Sequence, residues 1–138
     1  MIAEEIDNIQ FHNIFISESN KNNNNFIKIF YSNNIVFLNS IYIRLHLTNL
    51  KISNNKINFE HLYNSDKIKN IEHYILNNIN IYKKPVYKLA SILDNKNLKY
   101  SNEIKNYYIL KISGIWETQD SYGITFKILE YNNIFNLC

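Results

Sequence analysis

The stretch Tyr107–Tyr131, YYILKISGIWETQDSYGITFKILEY, constrains this chain more than any other, because it holds both glycines and the only tryptophan within two alternating runs. Side chains on a strand alternate between faces with period two. On the first run Tyr108, Leu110, Ile112, Gly114 and Trp116 therefore share one face, and Ile109, Lys111, Ser113, Ile115 and Glu117 share the other. On the second, Tyr122, Ile124, Phe126 and Ile128 form an apolar face, opposed by Gly123, Thr125, Lys127 and Leu129. Thr118–Ser121 supply a polar turn, so the whole reads as a long β-hairpin. Trp116 is expected in the core, where truncation to alanine would cost roughly 3–5 kcal/mol. Gly114 and Gly123 mark a bulge, a bend, or close packing against a large neighbour such as Trp116.

Upstream, residues 1–8 read as a polar, acidic lead-in, and Ile9–Ser17 as an imperfect strand. Asn20–Asn25 is a polar break, Phe26–Tyr31 a strand, and Ser32–Asn34 a tight turn. Within Ile35–Leu47, the residues Ile41, Ile43, Leu45 and Leu47 point one way, and Tyr42, Arg44 and His46 the other. Tyr and His stack on bases, and Arg both stacks and pairs with phosphate. An amphipathic strand with one wet face would show the same pattern. Asn54 and Asn55 separate two short arms of a further hairpin. From Asp66 to Asn78 the period changes: Ile68, Ile71, Ile75 and Ile79 recur at spacings of three and four, and Asn64 or Ser65 is a suitable N-cap. This predicts one amphipathic helix with a core-facing stripe. The only proline, Pro85, starts a new segment; Val86–Leu93 suits a strand or a short helix equally. Asp94–Asn106 reads as a lysine-bearing loop, and residues 132–138 as a fraying tail.

The pattern Ile-Ser-Gly-Ile-Trp-Glu, a polar turn, then Tyr-Gly-Ile-Thr-Phe-Lys-Ile-Leu resembles the closing hairpin of the OB-fold single-stranded DNA-binding proteins of large nucleocytoplasmic DNA viruses. The matching positions are Gly114, Trp116, Tyr122, Gly123, Ile124, Thr125, Phe126 and Lys127, about a fifth of the chain. The resemblance implies a mainly β, α+β domain spanning 1–138: a small antiparallel barrel with its helix between strands three and four. It implies single-stranded DNA as partner, in viral replication, recombination or packaging, and a location in host cytoplasm or the virion. Gly114, Trp116 and Gly123 take structural roles, while Thr125 and Lys127 face outward with Lys111 and Ser113.

Composition sets the outer bounds. A chain of 138 residues fits one domain with a real core. The abundance of Asn, Ile and Lys follows A/T-rich codons, so lysine count alone says little about function. Net charge is +3, but residues 1–20 carry four acidic and no Lys or Arg residues, leaving the remainder at +7 from 15 basic and 8 acidic residues. A basic body suits an anionic partner. The single cysteine, Cys138, excludes a disulfide framework, and neither a membrane-length apolar run nor a signal-peptide pattern is present. A soluble, intracellular and unsecreted protein is expected.

Two glycines cannot build a Walker A loop or a dinucleotide fingerprint. His12, His46, His61 and His73 are scattered without zinc-site spacing, and Ser53-Asn-Asn-Lys56 sits in a turn without the supporting motifs of a Ser-x-x-Lys nucleophile. No catalytic residue, metal, cofactor or small-molecule substrate is expected. The nucleic-acid candidates are Tyr42, Arg44, His46, Lys111, Thr125 and Lys127. The alternative is a structural or protein-interaction module, a virion component or assembly adaptor, since tyrosine-rich surfaces serve protein contacts equally well. Homo-oligomerisation is compatible with either.

Overall fold

The structure, a computed structural model, describes residues 3–21, 24–33 and 37–132. Among these, thirteen strands and two α-helices run in the order β1 (Glu4–Glu5), β2 (Ile14–Lys21), β3 (Asn24–Ser32), β4 (Phe37–Leu38), β5 (Ile41–Leu45), β6 (Leu47–Thr48), β7 (Lys51–Ser53), β8 (Lys56–Asn58), β9 (His61–Leu62), α1 (Ser65–Asn77), β10 (Lys84–Pro85), α2 (Lys88–Asn95), β11 (Asn97–Tyr100), β12 (Tyr107–Glu117) and β13 (Ser121–Tyr131). The chain is mainly β with two helices, where one helix was expected.

The hairpin expected at the end of the chain forms, with β12 and β13 paired from Tyr107 and Tyr131 to Glu117 and Tyr122. β12 is the central strand of an eight-stranded sheet. Along one edge it pairs with β13; along the other it pairs with β5 through Tyr108–Ile112, then with β3 through Gly114 and Ile115. A bulge lies at this change of partner: Ile112 stands opposite Phe126 and Gly114 opposite Thr125, leaving Ser113 as the extra residue. A Cβ on Gly114 would stand 2.6 Å from the Ile27 carbonyl oxygen, so the approach of β3 requires glycine.

The extra residue reverses the alternation beyond it. Ile115, opposite Ile124, continues the inner face of Leu110 and Ile112 and packs against the core. Trp116 falls opposite Gly123 on the outer face, half-buried. Its expected place in the core is thereby corrected, and that of Gly114 with it.

The inner face is dry. Ile41, Ile43 and Leu45 of β5, Leu110 and Ile112 of β12, and Ile124 of β13 form one cluster with Ile68, Ile71, Ile75 and Leu76 of α1 and Leu89 and Leu93 of α2. Each fully buried aliphatic side chain contributes about 1.5–3 kcal/mol. The Tyr122 hydroxyl donates to the Leu76 carbonyl at 3.4 Å, tying β13 to the end of α1.

The stretch Val86–Leu93, ambiguous in pattern, becomes helical from Lys88 onward because of one buried acid on α1. Glu72 is fully buried, and its carboxylate accepts from the Leu89 and Ala90 amides at 3.0 and 2.9 Å. These are among the first-turn amides that a helix leaves without partners, and an anion there also suits the helix dipole. Burial pushes the Glu72 carboxyl above its ordinary range, opposed by the two amides and by His73.

Several other expectations change. Glu4–Glu5 is no loose lead-in: β1 pairs in parallel with β5, and Ile6 and Ile9 are core residues. The polar break at Asn20–Asn25 is largely taken up by β2 and β3, and part of the loop Asp94–Asn106 forms β11, antiparallel to β8. The helices follow the ninth and tenth strands, not the third. No barrel closes among the described residues, because beyond its pairing with β12 strand β13 meets only β10, at Ser121 and Tyr122. The turn at Ser32–Asn34 and the tail expected to fray lie partly outside the described residues.

Asparagine shapes the turns. Asn54 and Asn55, between β7 and β8, have φ of 54° and 62°; Asn49, Asn64 and Lys96 are also left-handed, whereas neither glycine is. Asparagine tolerates this region better than most side chains. Asn64 precedes α1 as expected, but its side chain donates to Asp7 Oδ1 at 2.9 Å instead of capping the helix.

Because Glu72 holds its proton more tightly folded than unfolded, its contribution to stability is fully present below the unfolded carboxyl pKa and is lost as pH rises through the raised folded value. Glu72→Gln should remove this decline. Denaturation of both proteins across about pH 4–8 should show the wild-type advantage over Glu72→Gln shrinking as pH rises. Glu72→Ala, which strands two amides, should cost about 1–3 kcal/mol. A pH-independent difference from Glu72→Gln would reject the assignment.

Candidate functional site

Both helices pack on the inner face of the sheet, and the outer face carries the opposite set of strand side chains. Residues directly opposite on neighbouring strands share a face. Tyr42 stands opposite Lys111 and Lys111 opposite Lys127, so three strands place a tyrosine and two lysines in one row. The next row is Arg44, Ile109 and Leu129. On the other side of the Lys111 row, past the bulge, Gly114 lies between Lys28 and Thr125, and Trp116 faces Gly123.

The structure thus brings Tyr42, Arg44, Lys111, Thr125 and Lys127 onto one continuous face. Tyr42, Arg44 and Lys111 are half-buried; Thr125 and Lys127 are exposed. His46 lies just past β5 at the end of this face and is engaged, its Nε2 2.5 Å from Glu5 Oε2. Glu5 itself stands beside Arg44 through the β1–β5 pairing.

Two of the cations rest on aromatic rings. The Arg44 guanidinium carbon sits 4.7 Å from the centroid of Tyr107, and Lys111 Nζ 5.7 Å from that of Tyr42. Such contacts are worth about 0.5–1 kcal/mol at exposed sites and fix where the charge is presented. A guanidinium over a ring is favoured by the ring's electron-rich face and still carries N–H donors suited to carboxylate or phosphate. Ile109, fully buried yet outside the main core cluster, is covered by this outer layer between Arg44 and Leu129.

The charges are not evenly neutralised. Lys69, Lys83, Lys99 and Lys105 pair with Asp94, Glu117, Glu130 and Glu103. Among the described residues no carboxylate lies within ion-pair distance of Arg44, Lys111 or Lys127. The acids near the N-terminus are also occupied: Asp7 accepts from the Tyr63 hydroxyl at 2.6 Å and from Asn64, and those bonds hold its carboxyl below the ordinary range.

Three residues of this face escaped the sequence reading. Trp116 was hidden by the bulge, which no alternation count reveals. Tyr107 has the same parity as Lys111 and could have been found from that. Lys28, exposed opposite Gly114, required knowledge of the β3–β12 pairing. Phe15, half exposed on β2 opposite Phe30, adds an aromatic at the same face's far end.

Elsewhere, His73 stacks on Tyr87 with ring centroids 4.2 Å apart. Among the described residues no group of three His, Cys, Asp or Glu side chains could hold a metal ion, and no helix is long and apolar enough to cross a membrane. No protein-family model, curated protein or solved structure matches the chain.

The contact between Trp116 and Gly123 is open to direct test, since a Cβ on Gly123 would lie 2.7 Å from the indole. Gly123→Ala should displace the ring and shift the emission of this sole tryptophan. Trp116→Ala should cost about 1–2 kcal/mol, the loss of a half-buried ring, and not the larger sum of a core aromatic. Denaturant titration of both variants checks this; a loss above about 4 kcal/mol would return Trp116 to the core.

Proposed function

We propose that the chain is a non-catalytic single-stranded DNA-binding protein whose open, OB-like sheet carries the strand across its outer face. The observation that supports this most is the row Tyr42, Lys111 and Lys127, in which an aromatic ring adjoins two lysines with no carboxylate beside them. The row spans two strand spacings, about 10 Å, the scale of adjacent nucleotides rather than of a single small ligand. Single-strand binders combine such a basic track with rings on which unpaired bases stack. Arg44 on Tyr107 extends the track on one side, and Trp116 over Gly123 on the other.

The hairpin resemblance supports the same reading and adds a context: viral DNA replication, recombination or packaging, in host cytoplasm or the virion. Duplex DNA offers phosphates but keeps its bases stacked, so it would use the lysines and not the rings.

The expected signature separates charge from stacking. Affinity for an oligothymidine should fall with log salt at about −0.7 per phosphate neutralised. Lys111→Ala with Lys127→Ala should reduce the magnitude of that slope. Tyr42→Ala and Trp116→Ala should each remove about 1–3 kcal/mol and leave the slope nearly unchanged. Equal binding of duplex and single strand, or a Tyr42→Ala protein that is folded and binds normally, would reject the proposal.

Glu5 provides an independent check, because it sets a negative charge beside Arg44 and engages His46. Glu5→Gln should tighten oligothymidine binding a few-fold at low salt, with the gain shrinking as salt screens the face. An unchanged affinity at low salt would show that this end of the face lies outside the DNA path.

A further inference from the structure

Beyond its pairing with β10, one edge of β13 meets no other strand among the described residues; Ile124 on it is buried, and Phe126 is half-buried. The Val86 amide donates to the Tyr122 carbonyl at 2.8 Å, completing the short pairing with β10, after which the chain turns away into α2. On a strand, alternate residues direct both N–H and C=O to the same edge. Ile124, Phe126 and Ile128 therefore present their backbone groups to the side where Tyr122 meets β10. Lys99 confirms the phase, since its Nζ donates to the Ile128 carbonyl at 3.2 Å from β11. No strand among the described residues pairs with this edge at Ile124 or Phe126.

The edge faces a cleft of about 590 Å³ between β13, α2 and β11. Ile92, Phe126 and Trp116 give it apolar walls, and Lys88, Lys99 and Lys127 a basic rim. Lys99 is within ion-pair distance of Glu130, whereas Lys88 and Lys127 have no carboxylate in reach among the described residues. An unpaired ladder beside apolar walls is the arrangement by which a sheet accepts an added strand.

We propose that this edge binds an extended acidic peptide segment of a partner protein, which adds a strand beside β13, with one alternate set of apolar side chains against Ile92 and Phe126 and acidic residues of the other set at Lys127. Charge selects this occupant. A second copy of the chain would bring the same lysines against these, and a nucleic acid has no backbone that continues a β-ladder. The site uses the edge of β13 and the wall of α2; it adjoins the DNA-binding face proposed above and shares Trp116, Thr125, Lys127 and Leu129 with it.

The test uses the full chain and a fluorescein-labelled nine-residue peptide alternating valine with aspartate or glutamate. Saturable binding is expected. N-methylation of one alternate set of peptide amides should weaken it at least tenfold, and methylation of the other set should leave it unchanged, because only one set faces β13. Ile92→Glu, on the wall contributed by α2, should weaken binding at least tenfold, and circular dichroism will show whether the variant is folded. The methylation series on the wild-type chain needs no variant at all. Absence of binding, or equal effects of the two methylated sets, would overturn the proposal. A concentration-dependent dimer that the peptide does not dissociate would assign the edge to a second copy. An oligothymidine that displaces the peptide equally from wild type and from Lys111→Ala, which lies outside the cleft, would assign the cleft to nucleic acid.

Discussion

One extra residue, Ser113, decides what the sheet can do. β12 pairs with β5 over its first half and with β3 over its second, and the extra residue falls where the partner changes. Gly114 beside it makes room for the Ile27 carbonyl. Bulges also bend a strand and increase its twist. Here the same residue turns the indole of Trp116 from the inner face to the outer one, so a requirement of strand pairing also determines which aromatic ring lies on the outer face.

The two faces are maintained by opposite treatments of charge. On the helical side the single buried acid is held by the amides of α2, a satisfied arrangement that fixes one helix start against the middle of another. On the outer side Arg44 and Lys111 lie on tyrosine rings, and, among the described residues, Lys127 stands without a carboxylate partner. The acidic N-terminal strand limits this field at one end, where Glu5 meets His46.

The sequence exposed what depends on neighbours in the chain. The alternation of β13, the isoleucine spacing of α1 and the Asn54–Asn55 turn are local patterns, and each appears within a residue or two of where it was expected. What depends on distant partners was hidden. Lys88–Asn95 is helical because Glu72, sixteen residues earlier than Lys88, receives its amides; Asn97–Tyr100 is a strand because β8 has an edge to fill. Glu4 and Glu5 look like a solvated lead-in until β5 supplies their pairing, and Ile6 and Ile9 then anchor the segment. Trp116 is the instructive error: period two holds on either side of Ser113, but nothing local to the sequence says that the phase is broken there. Of the site, Tyr42, Arg44, Lys111, Thr125 and Lys127 were visible as separate outward positions, and only the register of three strands made them neighbours.

The left-handed turn residues carry a consequence for how this chain can change over time. Glycine codons begin with two guanines and asparagine codons with two adenines, so the exchange needs two base substitutions. Asparagine reaches aspartate, serine or lysine by one. Aspartate shares asparagine's tolerance of the left-handed region, and Lys96, a left-handed residue at the end of α2, stands one base from asparagine. The turns of this molecule can therefore drift among polar residues of differing charge while keeping their backbone shape. The turns around β7 and β8 and at the ends of the helices become the part of the protein whose electrostatic character is most readily rewritten without disturbing the fold beneath.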